Sequence, residues 1–226
     1  MKQWRFLSPL LASTFDILSI DLPGHGQSGE FTHEYSLEEL AEELDAILKK
    51  ENIHTCHLMG HSMGGYVCSA FAKANPTKVL SLHLINSMAG ADTNERKIVR
   101  DRSIELIQKY QEAYISMAVS NLFTPQEQEL YEDRIGNMKE NALHLSTNTI
   151  LQALKSMRNR ESFVNSLRDV DFPVIYIAGR RDNVINAQLI EKECFNLGGR
   201  FKAINSGHMS ILTSSDTIFK NLHFVE

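Results

Sequence analysis

The sequence predicts an α/β fold, a mostly parallel sheet flanked by helices and interrupted by one long helical insertion. Three observations carry this expectation. Short apolar, β-branched runs alternate with helix-period segments, the pattern of parallel strands joined by crossover helices. One stretch, residues 91–167, carries helical periodicity and no strand pattern. The chain has 226 residues, enough for one domain with an insertion and for a core that needs no staples.

The elements follow in order. Residues 15–20 (Phe15 to Ile20) read as a strand. Ser36 to Lys50 reads as a helix: Ser36 and Glu39 have capping-box spacing, and Leu37, Leu40, Leu44, Ile47 and Leu48 form one apolar face. Ile53 to Met59 is a second strand, residues 63–74 a helix stopped by Asn75-Pro76, and Val79 to Ile85 a third strand. The insertion, with Pro125 and Gly136 as breakers, is expected to hold three or four helices. Phe172 to Ala178 and Arg200 to Ile204 complete five strands. Helices over about residues 186–196 and 209–222 fill the remaining connections.

Composition narrows the function. The net charge is −5, with 23 Lys plus Arg against 28 Asp plus Glu, and lacks the basic excess expected of a nucleic-acid binder. No apolar run approaches the roughly 18 residues of a membrane span, and residues 1–11 are too short and polar for a signal peptide. Cys56, Cys68 and Cys194 are odd in number and show no C-x-x-C spacing, so they read as small buried hydrophobes in a reducing, cytoplasmic setting. No metal site and no cofactor are expected: the nine histidines are scattered, and His54 and His57 share one strand-like run.

The chemistry concentrates at Gly60-His61-Ser62-Met63-Gly64, a G-x-S-x-G between a strand and a helix. A turn this tight strains the serine backbone and leaves no room for neighbouring Cβ atoms. The strain pushes Oγ out at a helix N-terminus, where partial positive charge favours an oxyanion. A serine hydroxyl needs a base, and the base needs an orienting acid. Asp182 and His208 follow in the chain order this turn requires, each just past a predicted strand. All three therefore belong at the carboxyl edge of the sheet, where open α/β sheets place their sites.

With these residues in hand, the chain resembles the α/β-hydrolase fold family, in particular its carboxylesterase-like Ser-His-Asp serine hydrolases. Asp21-Leu22-Pro23-Gly24-His25-Gly26-Gln27-Ser28 looks like the loop after that family's fourth strand, and Gly60 to Gly65 looks like its nucleophile elbow. The insertion matches the family's cap position. The resemblance implies a hydrolase core of residues 1–90 and 168–226 and a helical cap of residues 91–167. It implies Ser62 as nucleophile, His208 as base, Asp182 as orienting acid and the Met63 N–H as oxyanion donor. His25 is expected to be structural, and His61 is given no proton-transfer role. The implied reaction is cleavage of a small carboxylic ester through an acyl-enzyme, with no nucleic-acid or membrane partner.

The chain departs from that family at its N-terminus. No His-Gly pair precedes Asp21, and Trp4, Leu7, Leu10 and Leu11 fit the apolar face of the family's first helix. N-terminal truncation is the expectation, with loss of the His-Gly oxyanion loop and of a central strand between residues 15–20 and 53–59. A weak or inactive remnant, or an interaction protein, is the corresponding alternative function. Pocket candidates are Ser87 and Met88 after the third strand, and Tyr114 and Met117 in the insertion. Arg180 and Arg181 flank the acid and could hold a substrate carboxylate.

Overall fold

The computed structural model describes residues 2–224. Four parallel strands form one sheet in the order β1 (Cys56–His61), β2 (Val79–Ile85), β3 (Val174–Gly179) and β4 (Arg200–Ile204). The register pairs His61 with Ile85, Ile85 with Ile177, and Gly179 with Ile204. The loops after all four strands therefore leave from one edge.

Both faces of the sheet are covered, which is why β3 is apolar and buried throughout. Along β3, Val174, Tyr176 and Ala178 join a core with α2 (Leu37–Lys50), α3 (Met63–Ala74) and α9 (Ala187–Leu197). Ile175 and Ile177 point the other way. They pack with Ile85 and Ile204 against Leu7, Leu11 of α1 (Ser8–Leu11), Ile211 of α10 (Ser210–Thr213) and Ile218 of α11 (Ser215–Phe219). Between β2 and β3 run five helices: α4 (Asn94–Lys109), α5 (Gln111–Ser120), α6 (Pro125–Leu130), α7 (Glu132–Leu143) and α8 (Thr147–Asn159). No helix among the described residues is long and apolar enough to cross a membrane.

Several expectations change. Residues 15–20 form no strand: a strand exists through its ladder partner, and this segment pairs with no strand of the sheet, although the Phe15 ring lies 5.4 Å from that of His57 in β1. The sheet consequently has four strands among the described residues, not five. The expected helix over 209–222 is two short helices, α10 and α11, broken at Ser214, whose φ of −145° is not helical. The insertion holds five helices rather than three or four because breaks fall at Tyr110 and Tyr131, whose φ of −143° and −123° are not helical, whereas Gly136 sits inside α7 and Pro125 starts α6. The capping box of α2 is half made. Ser36 Oγ accepts the Glu39 N–H at 3.1 Å, and the Glu39 carboxylate is taken by His33.

The ends of the helical insertion are tied together by buried charge. Asp92, just before α4, accepts Arg160 Nη1 at 2.7 Å and also binds Arg100; the Asp92 and Arg160 side chains are each 3% exposed. Arg160 also donates to the carbonyls of Gly90 (3.0 Å) and Met157 (2.7 Å) and lies 3.9 Å from the Tyr66 ring centroid. Glu193 of α9 accepts the N–H groups of Ala89 and Gly90 at 2.6 and 2.9 Å and the Tyr176 hydroxyl at 2.9 Å. Burial pushes its carboxyl above the ordinary glutamate value. Asp92→Ala would strand two buried guanidinium groups, so we expect a loss of about 3–5 kcal/mol in urea unfolding, the usual cost of breaking one side of a buried pair. A loss below about 1 kcal/mol, the scale of an exposed pair, would show that this ion cluster does not hold the insertion closed.

Candidate active site

Ser62 is built by a strained turn. It ends β1 and caps α3 with φ +50° and ψ −121°, a region that side-chain-bearing residues rarely adopt. Its N–H donates to the Ile85 carbonyl at 3.1 Å, and its carbonyl accepts Gly65 N–H at 2.9 Å and Ser87 Oγ at 2.7 Å. A Cβ on Gly60 would meet the Gly64 and Gly65 backbone at 2.5 Å, and one on Gly65 would overlap Ser87. Gly60 and Gly65 are thus required by close approach, whereas a Cβ on Gly64 would meet open space, contrary to the expectation that the turn leaves no room beside the serine. The Met63 N–H, at the first position of α3, has no acceptor within the helix.

The three residues expected at this edge converge on one another. His208 Nδ1 lies 2.8 Å from Asp182 Oδ2, and Nε2 lies 3.0 Å from Ser62 Oγ. The carboxylate can only accept, so Nδ1 carries the proton and Nε2 is left to accept the Ser62 hydroxyl. Asp182 is saturated with donors: Oδ1 takes Val184 N–H (2.7 Å) and Ile185 N–H (2.9 Å), and Oδ2 also takes Asn86 Nδ2 (2.8 Å). Burial raises its carboxyl, but the His208 hydrogen bond and charge, with the Ile185 and Asn86 donors, outweigh burial and hold it below the ordinary value. The acid therefore stays ionised.

Sequence reasoning missed three supports. Asn86 is buried with φ +45°, and its Oδ1 accepts Ser210 Oγ, which turns its amide donor toward Asp182. Gln3 donates to His61 Nδ1, while His61 Nε2 donates to the His208 carbonyl at 2.8 Å. Glu127 of α6 accepts the Gly207 N–H at 3.0 Å. An Asn, Gln or Glu that lies 58 to 124 residues from its partner leaves no local spacing to read, so sequence carried no signal for these contacts.

The other candidates are placed as follows. Ser87 is fully buried against the elbow backbone, and Met88 is half-buried beside the α2–α3 core. Tyr114 packs in the second core, and Met117 is 49% exposed. His25 keeps its Nδ1 on the Pro23 carbonyl at 3.0 Å, within its own loop. Arg181 bonds Gln126 of α6, and Arg180 lines a surface cavity of ≈ 580 Å³ with Asn186, Gln188 and Lys202. Ser62 and His208 do not line that cavity.

Buried histidines make stability depend on pH. Burial, with the neighbouring His208, pushes His61 down to about 3, and burial pushes His83 down to about 4. Below about pH 6.5 the unfolded chain binds protons that these folded imidazoles refuse, so stability is full above that pH and falls as pH drops. We expect the unfolding free energy from urea titrations, and with it the urea midpoint, to decline between about pH 6.5 and 4, the free energy by up to about 1.4 kcal/mol per pH unit for each such His. Asp182, with its lowered value, adds to the loss only below about pH 3.9. A midpoint flat across this range would contradict the neutral burial of both rings.

A family model described as the alpha/beta hydrolase fold matches residues 1–215. A 2-hydroxy-6-oxononadienedioate/2-hydroxy-6-oxononatrienedioate hydrolase from Cupriavidus pinatubonensis is 28% identical over 193 residues, 80% of this chain and 65% of that protein. A pimeloyl-[acyl-carrier protein] methyl ester esterase from Aeromonas hydrophila is 44% identical over 87 residues, 37% of this chain and 32% of that one. The chain thus spans less than two thirds of either relative's length. The structure of a thermophilic esterase from Thermogutta terrifontis superposes with a TM-score of 0.88 at 21% identity, covering 97% of this chain and 82% of that one.

Proposed function

The chain belongs to the alpha/beta hydrolase fold family, and on that premise we propose that it is a serine hydrolase cleaving a small carboxylic ester through an acyl-enzyme. One observation carries the reading: a serine hydroxyl, an imidazole and a carboxylate lie in series at 3.0 and 2.8 Å, with each proton's place fixed by its neighbour.

The steps follow from that series. His208 Nε2 takes the proton as Ser62 Oγ attacks the ester carbonyl, and the ionised Asp182 stabilises the imidazolium that forms. The tetrahedral oxyanion falls at the N-terminus of α3, within reach of the Met63 N–H and the positive end of the helix dipole. His208 then gives its proton to the leaving alcohol, and water repeats the sequence on the acyl-enzyme. These groups complete the cycle without a cofactor. The donors saturating Asp182 keep it from taking the proton, so the imidazole remains the shuttle.

Residues 91–167 act in this reading as a cap on a core made of residues 1–90 and 168–226. The neighbouring carboxyl-edge loops support it: Met209 N–H donates to the Leu122 carbonyl, and Arg134 of α7 donates to the Leu212 carbonyl at 3.1 Å. The ester assignment draws on the Aeromonas hydrophila relative, whose name specifies a methyl ester.

A fluorophosphonate probe tests the proposal directly, because it reacts with a serine whose proton can be removed. Ser62 should label, and Ser62→Ala should abolish labelling and hydrolysis of p-nitrophenyl acetate. His208→Ala should slow labelling by roughly 10²–10⁴, the usual worth of a positioned base. A folded protein that neither labels nor hydrolyses any short ester would sink the hydrolase reading.

A further inference from the structure

Glu127 is a buried carboxylate for which the proposed chemistry has no use. It sits in the first turn of α6, three residues after the N-cap Thr124, and is 6% exposed. One of its oxygens does what capping-box spacing predicts: Oε2 accepts the Thr124 N–H at 2.8 Å. The other leaves the helix. Oε1 accepts Gly207 N–H at 3.0 Å, Ser206 Oγ at 3.2 Å and Thr213 Oγ1 at 3.1 Å. All three donors belong to the segment that carries His208.

A cap for α6 needs only the first of these contacts. The other three converge on the two residues before His208 and on the helix just after it. Gly207 is shaped to the contact, since a Cβ there would overlap the Glu127 carboxylate. Desolvation works against the charged form, and the N–H groups of Gly207 and Thr124 with the Thr213 hydroxyl more than offset it, so the carboxyl lies below its ordinary value. Bonds to an ionised acceptor are the stronger kind. From the opposite side His61 Nε2 holds the His208 carbonyl, which leaves the imidazole-bearing segment clamped between the elbow and the helical insertion.

We propose that Glu127 is a positioning residue for His208: from the inserted helices it fixes the Ser206–Gly207 backbone so that Nε2 meets Ser62 Oγ. This rests on the reading of His208 as the base, and it extends that reading to a residue outside the Ser-His-Asp series.

The test compares three variants in the full chain. Glu127→Ala removes the acceptor, Glu127→Asp keeps the charge but withdraws it from Gly207, and Glu127→Gln keeps an oxygen that can still face Gly207. Fluorophosphonate labelling of Ser62 should fall roughly tenfold to hundredfold in the Ala and Asp variants, part of the ~10²–10⁴ that a positioned base supplies. The Gln variant, with its oxygen on Gly207 and its NH2 toward Thr124, should lose part of the α6 cap yet label faster than the Ala and Asp variants, which a role for the charge alone does not allow. Val119→Ala, a truncation in the same helices, controls for stability: it should lower Tm without a comparable loss of labelling. The proton NMR signal of His208 Nδ1–H, held by Asp182, gives a second readout that needs no turnover. It should weaken or shift in the Asp and Ala variants and persist in the Gln variant. If the Ala variant does not fold, the Asp and Gln pair decides. Wild-type labelling with unchanged rates and an unchanged imidazole signal in the variants would overturn the positioning role and leave the hydrolase reading standing. A wild-type protein that never labels would defeat the hydrolase reading, and the NMR signal alone would then decide whether Glu127 positions His208.

Discussion

The backbone of Ser62 is the constraint from which the rest of the site descends. A non-glycine residue held at φ +50° and ψ −121° costs on the order of 1–3 kcal/mol, so it persists only where its surroundings leave no alternative. Here β2 must lie in the register that offers the Ile85 carbonyl to the Ser62 N–H, and Ser87 must stand beneath the Ser62 carbonyl. Gly60 and Gly65 must lack side chains for strand and helix to approach. One strained residue therefore dictates two glycines, one hydroxyl and the pairing of the two first strands. The same strain turns Oγ toward the loop after β4, where the imidazole waits.

Charge is arranged along that edge in one direction. Asp182 lies deepest, with four donors on its two oxygens, and its ionisation fixes the tautomer of His208. Asn86 adopts a positive φ in order to aim its amide at that carboxylate, so strain recurs at the end of the neighbouring strand. Ser62 is the last member and the one nearest solvent. A carboxylate with fewer donors would compete for the proton; one with more would weaken its hold on the imidazole.

Much of this was legible in the sequence, for a physical reason. Ser62, Asp182 and His208 each follow a strand, and the parallel sheet converts that shared position into proximity. Strands β2 and β4 were readable to the residue because their apolar runs end at turn residues. Residues 15–20 have the same composition, yet a strand is a property of a pair, and no composition reports whether a partner is there. Gly136 misled in the opposite sense: a glycine weakens a helix by about 1 kcal/mol, which packing of α7 readily overrides. Thr124 and Glu127 were not singled out in the sequence, and their capping-box spacing would mark a helix start and nothing more, since it fixes one carboxylate oxygen and is silent on the other.

That second oxygen exposes how the insertion is mounted. At its base the two chain ends meet at Asp92 and Arg160, and Phe163 N–H closes onto the Ala89 carbonyl at 2.9 Å. At its far side Glu127 grips the loop before His208. On a third side Thr149 of α8 packs against Gly24, where no Cβ fits. Helices fixed at a closed base and at two separate loops cannot swing without disturbing one of these contacts. Because one of the gripped loops carries His208, a shift of α6 is passed to that loop through the Gly207 N–H held by Glu127.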